Sequence, residues 1–194
     1  MDAYQPTPYT LEDGTLVQVR PVREEDAPRI QALVGRLSPE SSYLRFHEPL
    51  RQLPQQTLYE FTHLDYHQRM ALAAVLPEGS DERLVAVARY STGQPVETGR
   101  AEVGVVVEDG YQGQGLGFYL LRELTIYARR HGIHTFTGTI SPSNNRILEI
   151  IAETGLQFKR TFVEGVWEVE INLRRQRGRR SDRKTGSKGP PDSG

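Results

Sequence analysis

The 194-residue chain carries 24 Lys/Arg against 25 Asp/Glu, 37% hydrophobic residues and no cysteine. That bounds it to one globular domain with room for a sizeable core, and excludes a disulfide framework, a thiolate metal site and a cysteine nucleophile. No apolar run approaches the ~20 residues that span a bilayer, and residues 1–6 lack the basic start and apolar core of a signal peptide, so a cytoplasmic protein with no membrane partner is expected.

Residues 1–13 are polar and punctuated by Pro6 and Pro8, and are expected to form a flexible lead-in to a domain over residues 14–173. Residues 15–20 alternate as a first strand. Between Glu24 and Leu37, the side chains of Ala27, Ile30, Leu33, Val34 and Leu37 share one helical face. Ser38, Pro39 and Glu40 read as an N-cap, a proline at the first helical position and a first-turn acid, opening a second helix through Tyr43, Leu44 and Phe46. Pro54 opens a third, with Leu58, Phe61 and Thr62 inward. Residues 70–76 and 84–90 then read as a hairpin around residues 77–81, and a polar loop over 91–99 leads to a β-branched run containing Val103, Val105, Val106 and Val107.

That run ends in Gln112-Gly113-Gln114-Gly115-Leu116-Gly117, with three glycines in five residues at a junction of strand and helix. Without Cβ atoms the backbone there can turn sharply and let a ligand approach, while the free N–H groups of a first helical turn face outward as anion donors. The helix that follows places Leu120, Leu124, Tyr127, Ala128 and His131 on one face, and Gly132 ends it as a C′ residue. A strand over 135–140, a helix over 143–153 stopped by Gly155, and two strands over 157–162 and 166–173 complete the domain. Residues 174–194 hold eight Lys/Arg against Asp182 and Asp192, so residues 1–173 carry 16 Lys/Arg against 23 Asp/Glu. This basic tail, without apolar side chains to bury, is expected to be disordered: solvated, docked on the acidic body, or in weak contact with a polyanion.

The glycine spacing excludes two nucleotide readings. A dinucleotide fingerprint starting at Gly113 and Gly115 needs a third glycine where Phe118 stands, and a P-loop needs Gly-Lys-Ser/Thr where Gly115 is followed by Leu116 and Gly117. The stretch instead resembles the Q/R-x-x-G-x-G/A signature of the GNAT superfamily of acyl-CoA-dependent N-acyltransferases, through Gln112, Gly115 and Gly117. Residues 37–46 (LSPESSYLRF), Asp65-Tyr66 and Ala101-Glu102 further resemble the acetyltransferase domain of bacterial protein-lysine acetyltransferases.

The resemblance, which covers residues 14–173, implies an α/β (α+β) GNAT fold. Its mixed, mostly antiparallel sheet has about seven strands flanked by helices, with a splayed strand pair at the acyl-CoA site. It implies acetyl-CoA as co-substrate, its pyrophosphate on the amides of Gln112, Gly113, Gln114, Gly115, Leu116 and Gly117. The pantetheine arm would pair with Val105, Val106 and Val107 and bond Asn144, and an amide of the same three valines would hold the oxyanion. Glu102 is implied as the general base.

Other readings of these residues stand beside that one. Glu102 also reads as a solvated strand acid and Asn144 as a helix cap after Pro142; Glu108 and Asp109 read as loop acids, and Glu168 with Glu170, on one face of the last strand, are a rival pair for the base. One position departs from the family: Ile151 stands where many members carry the tyrosine that protonates the departing thiolate. No metal is expected, because His63 and His67 lack the glutamate and third ligand of a zinc site. Three functions stay open at this point: acetylation of protein lysines, acylation of a small-molecule amine, and non-catalytic sensing of acyl-CoA with a polyanion-binding tail.

Overall fold

The computed structural model describes residues 4–93 and 99–174. The expected disorder and polyanion contact of the tail therefore fall outside the described residues, apart from Arg174, as does most of the loop after Ser91. In chain order the elements are β1 (Thr7–Thr10), β2 (Leu16–Pro21), a 3-10 turn (Glu24–Asp26), α1 (Ala27–Arg36), α2 (Pro39–Phe46), α3 (Gln55–Thr62), β3 (Arg69–Glu78), β4 (Asp81–Ser91) and β5 (Arg100–Val107). A second 3-10 turn (Asp109–Tyr111), α4 (Leu116–Arg130), β6 (Thr135–Ile140), α5 (Asn145–Glu153), β7 (Gln157–Val163) and β8 (Val166–Asn172) follow.

All eight strands form one sheet in the order β1-β2-β3-β4-β5-β6-β8-β7, one more than the seven expected. The extra strand is β1, and it corrects the flexible lead-in: Thr7–Thr10 pairs antiparallel with β2, Thr7 opposite Val19 and Thr10 opposite Leu16. Pro8 masks this in the sequence, yet a proline is tolerated on an edge strand, where no further ladder needs its missing N–H. The expected first helix also begins differently, as the 3-10 turn: the Asp26 carboxylate accepts the Arg23 N–H at 2.9 Å and the α-helix starts only at Ala27.

The central strands β3 and β4 are buried on both faces, which is why Met70–Val75 reads as an unbroken apolar run rather than an alternating one. On one face α4 and α5 close a core around Leu120, Leu124, Phe136 and Tyr90. On the other, α1 and α3 close a second around Ile30, Leu33, Leu37 and Phe61. Arg20, 3% exposed, holds the buried Asp26 through two hydrogen bonds of 2.7 and 2.8 Å. Asp65 accepts the N–H groups of His67, Gln68 and Arg69 and shapes the turn into β3. Partial burial raises its pKa, and those bonds outweigh it to leave a net depression.

One junction breaks the antiparallel pattern. β5 and β6 run parallel, and their pairing covers only Arg100–Glu102 against Thr135–Thr137. Beyond Glu102 the two strands part, β5 staying with β4 as far as Val107 and β6 staying with β8 as far as Ile140.

Candidate active site

The parting of β5 and β6 produces a cleft because each strand keeps its outer partner and loses its inner one. The Glu108 N–H bonds the Val85 carbonyl at 2.9 Å. By the period of two along a strand, the amide of Val106 therefore faces β4, while those of Val103, Val105 and Val107 face the gap. Of the three valines singled out in the sequence, Val105 and Val107 thus present backbone groups to the gap, and Val106 turns its side chain into the core formed with α1 and α3. A narrow cavity follows the gap, lined by Val103, Gly104 and Val105 on one side and by Gly138, Thr139 and Ile140 on the other. It adjoins a second hollow bounded by Val107, Gln112, Gly117 and Asn144. That hollow leads to a third along Gly113, Gly115 and Leu116 at the start of α4.

The glycine loop has the geometry that its composition calls for. Gly113 and Gly115 have φ of 80° and 77°, left-handed values that cost an L-residue energy. A Cβ on Gly115 would lie 2.6 Å from the Tyr9 hydroxyl, and one on Gly117 would lie 3.3 Å from Ile150 Cδ1. Whereas α2 is capped by Ser38, whose hydroxyl accepts the Ser41 N–H at 3.1 Å, α4 begins at Gly115 with no side-chain cap. No side chain among the described residues accepts from its first amides.

Other side chains brace this loop. Gln112 Nε2 donates to the Val107 carbonyl and to Ser41 Oγ, both at 3.0 Å. Asp109 accepts from the Ser38 amide at 2.9 Å and from the hydroxyls of Ser38 and Ser41. Burial pushes the Asp109 carboxyl up, and these donors more than offset it, holding it below its ordinary value. Gln114 turns away from the cavity, its side chain bonding the Gly110 carbonyl and the Asp13 amide. Glu108 is a structural acid, 8% exposed between Arg36 and Arg83.

Glu102 occupies the last paired position before the strands part, opposite Ser91 of β4 and Thr137 of β6. It is exposed, on the face opposite α4, and its charge acts on the guanidinium groups of Arg45 and Arg89. The rival Glu170 lies on the same face but is engaged by Arg100 at 2.5 Å and Lys159 at 2.7 Å. Those two bonds hold its pKa low, Lys159 contributing most, which makes it a poor proton acceptor. Glu168 stands opposite Thr139 of β6 and Thr161 of β7. Asn144 caps α5, its Oδ1 accepting the Ile147 N–H at 3.3 Å, and borders the cavity with its amide free to donate. Ile151, 3% exposed, lines the same cavity.

Four residues around the cavity escape a reading of the sequence alone. Tyr9 closes over Gly115, stacked on Tyr119 at 4.2 Å. Arg146, two residues after Asn144, brings its guanidinium to within 3.1 Å of where a Gly113 Cβ would be. Ser41 and Arg45 of α2 face the cavity from above; both lie in the 37–46 stretch already singled out, and their helical spacing of four was the available signal. The arrangement fits a long, thin substrate with an anionic end: amides and Arg146 for a phosphate, strand-edge groups for an amide-bearing arm, and an acid where the arm ends.

Comparison with known proteins gives the family. Residues 38–152 match the model of the acetyltransferase (GNAT) family. The chain is 34% identical over 146 residues to Acetyltransferase PA5475 of Pseudomonas aeruginosa, covering 75% of this chain and 77% of that protein. It is 28% identical to Acetyltransferase Pat of Mycolicibacterium smegmatis over 87% of its own length, and spans about half (49%) of that relative. Its fold superposes on the GNAT domain of S. lividans PAT with a TM-score of 0.78 and 32% identity, covering 89% of this chain and 99% of that one.

Proposed function

As a member of the GNAT acetyltransferase family the chain is an acyl-CoA-dependent N-acetyltransferase, and we propose that it moves the acetyl group of acetyl-CoA to the side-chain amine of protein lysines. The observation that carries the acceptor is the setting of Glu102. It is exposed at the apex of the split, on a sheet face that among the described residues is left open beside β6 and β8. Such a face admits a side chain projecting from another protein. The resemblance of residues 37–46 to protein-lysine acetyltransferases supports the same acceptor.

In this reading the pyrophosphate of acetyl-CoA lies on the α4 amides and the pantetheine arm pairs with the free edge of β5. The thioester then lies in the narrow gap between β5 and β6. A lysine amine has a pKa near ~10.4, so presenting it neutral at pH 7 costs about 4.6 kcal/mol. Glu102 takes that proton, directly or through a water, as the nitrogen attacks the carbonyl carbon. An amide of Val105 or Val107 stabilises the oxyanion that forms.

Incubation of the full chain with labelled acetyl-CoA and a cell lysate, before and after removal of small molecules, tests the acceptor. Label on protein, stable to acid and located on lysine, is the expected outcome. Label confined to the small-molecule fraction would replace the acceptor by a small amine, and acetyl-CoA binding without transfer would return the sensing function.

A further inference from the structure

Ile151 leaves the thioester gap without the hydroxyl that many relatives place there, and one charged side chain lines the same gap. Among the residues lining the gap only Arg45, Thr139 and Asn144 are polar, and only Arg45 carries a charge. Its guanidinium projects from α2 onto the flat surface of Gly104 in β5. A Cβ on that glycine would lie 2.3 Å from Arg45 Nη2 and 2.6 Å from its Cζ. Gly104 is not among the glycines with positive φ, so its backbone does not demand glycine. The close approach of the guanidinium does.

Glu102 nevertheless acts on Arg45 only from a distance. Among the described residues its guanidinium forms no hydrogen bond or ion pair, and it lies over the Phe46 ring at 5.2 Å from the centroid. Burial, seconded by the positive charge of Arg89, lowers its pKa to about 10, against the opposing pull of Glu102. A half-buried cation with no ion pair beside a reaction channel is a group that can take up negative charge.

We propose that Arg45 is a catalytic residue, whose guanidinium is the counter-charge of the coenzyme A thiolate as it departs into the cavity that Arg45 and Ile151 both line. The lone pair of the neutral amine forms the C–N bond and the carbonyl π pair moves onto oxygen; the ammonium proton first taken by Glu102 has passed to solvent, and Glu102 takes the second proton from the nitrogen. Collapse of the oxyanion then breaks the C–S bond, and the electron pair stays on sulfur as a thiolate paired with Arg45. No proton donor is required of position 151, because a thiol near pKa ~8.5 leaves as an anion once a cation stands beside it.

The inference rests on acetyl-CoA occupying the β5/β6 gap, and the test separates the two. Free coenzyme A is added to the parent, Arg45→Met, Arg45→Lys and Gly104→Ala. Binding is followed by calorimetry, and the thiolate of the bound ligand by its ultraviolet absorbance across pH ~6 to ~10. In the parent the bound thiol is expected to titrate about one to two pH units below ~8.5. In Arg45→Met, and in Gly104→Ala where the methyl group displaces the guanidinium, it returns to ~8.5 or above. Arg45→Lys retains part of the depression. Turnover of acetyl-CoA falls in parallel, by at most about tenfold for each pH unit that the thiol pKa climbs back, with its KM little changed. A bound thiol that titrates normally in the parent, or one that still titrates low in Arg45→Met, overturns the role of Arg45 while leaving the binding site in place. A parent that does not bind coenzyme A at all removes the site reading itself. Thermal melts of the free proteins identify a variant that fails to fold, and the parent titration by itself decides the outcome in that case.

Discussion

Gly115→Ala adds one methyl group at the start of α4, and the structure indicates what it meets. The residue has φ of 77°, and forcing an L-residue there costs about 1–2 kcal/mol. The new Cβ would also sit 2.6 Å from the Tyr9 hydroxyl, closer than carbon and oxygen approach without a bond. Tyr9 can retreat only by disturbing its stack on Tyr119 at 4.2 Å, a contact worth about 0.5–1.5 kcal/mol. Together these come to roughly 1.5–3.5 kcal/mol, which for a domain of this size lowers the melting temperature by about 3–14 °C. Differential scanning calorimetry of the free protein measures it. The same melts with saturating acetyl-CoA should show most of the ligand's stabilisation lost, since the first-turn amides are displaced with the residue that precedes them. In a Tyr9→Phe background the hydroxyl is gone, so the alanine penalty should shrink toward its conformational part. A Gly115→Ala protein that melts within roughly 1 °C of the parent, or a penalty untouched by Tyr9→Phe, would refute this account of the loop.

Glu102→Gln keeps size but removes basicity, so acetyl-CoA affinity should hold while turnover at neutral pH falls by about 10²- to 10⁴-fold; the defect narrows as pH rises toward the ~10.4 of the lysine amine, and full activity at pH 7 would pass the role to Glu168. Asp26→Asn should cost about 3 kcal/mol at neutral pH by leaving Arg20 buried with only Glu82 as its anionic partner, measured by chemical denaturation. Burial raises the Asp26 pKa and the hydrogen bonds from Arg20 and Arg23 more than reverse it, so the folded value lies below the ordinary one. Its contribution is therefore complete above pH ~4 and is lost as pH falls further, and the asparagine variant should show a flatter loss of stability in acid. A chain ending at Leu173 should keep the melting temperature and acetyl-CoA affinity of the full protein; a large loss of either in calorimetry would make the basic segment part of the domain.

The local order of this protein was legible in its sequence because local order depends on neighbouring residues. The valine run, the glycines at 113, 115 and 117 and the apolar stripe from Leu120 to Ala128 set strand, left-handed turn and helix in succession. Ser38 and Pro39 likewise marked the start of α2. The edge strand at Thr7–Thr10 was hidden because its pairing with β2 overrides the proline that disfavours it. Position in the sheet decided the rest. That β5 and β6 meet in parallel and then part after Glu102 follows from which outer partner each strand keeps, and no window of sequence encodes it. The same holds for Tyr9 over Gly115, Arg146 beside Gly113 and Arg45 on Gly104. Each joins residues far apart in the chain, and each depends on the bare surface of a glycine whose use is visible only once the other residue lies against it.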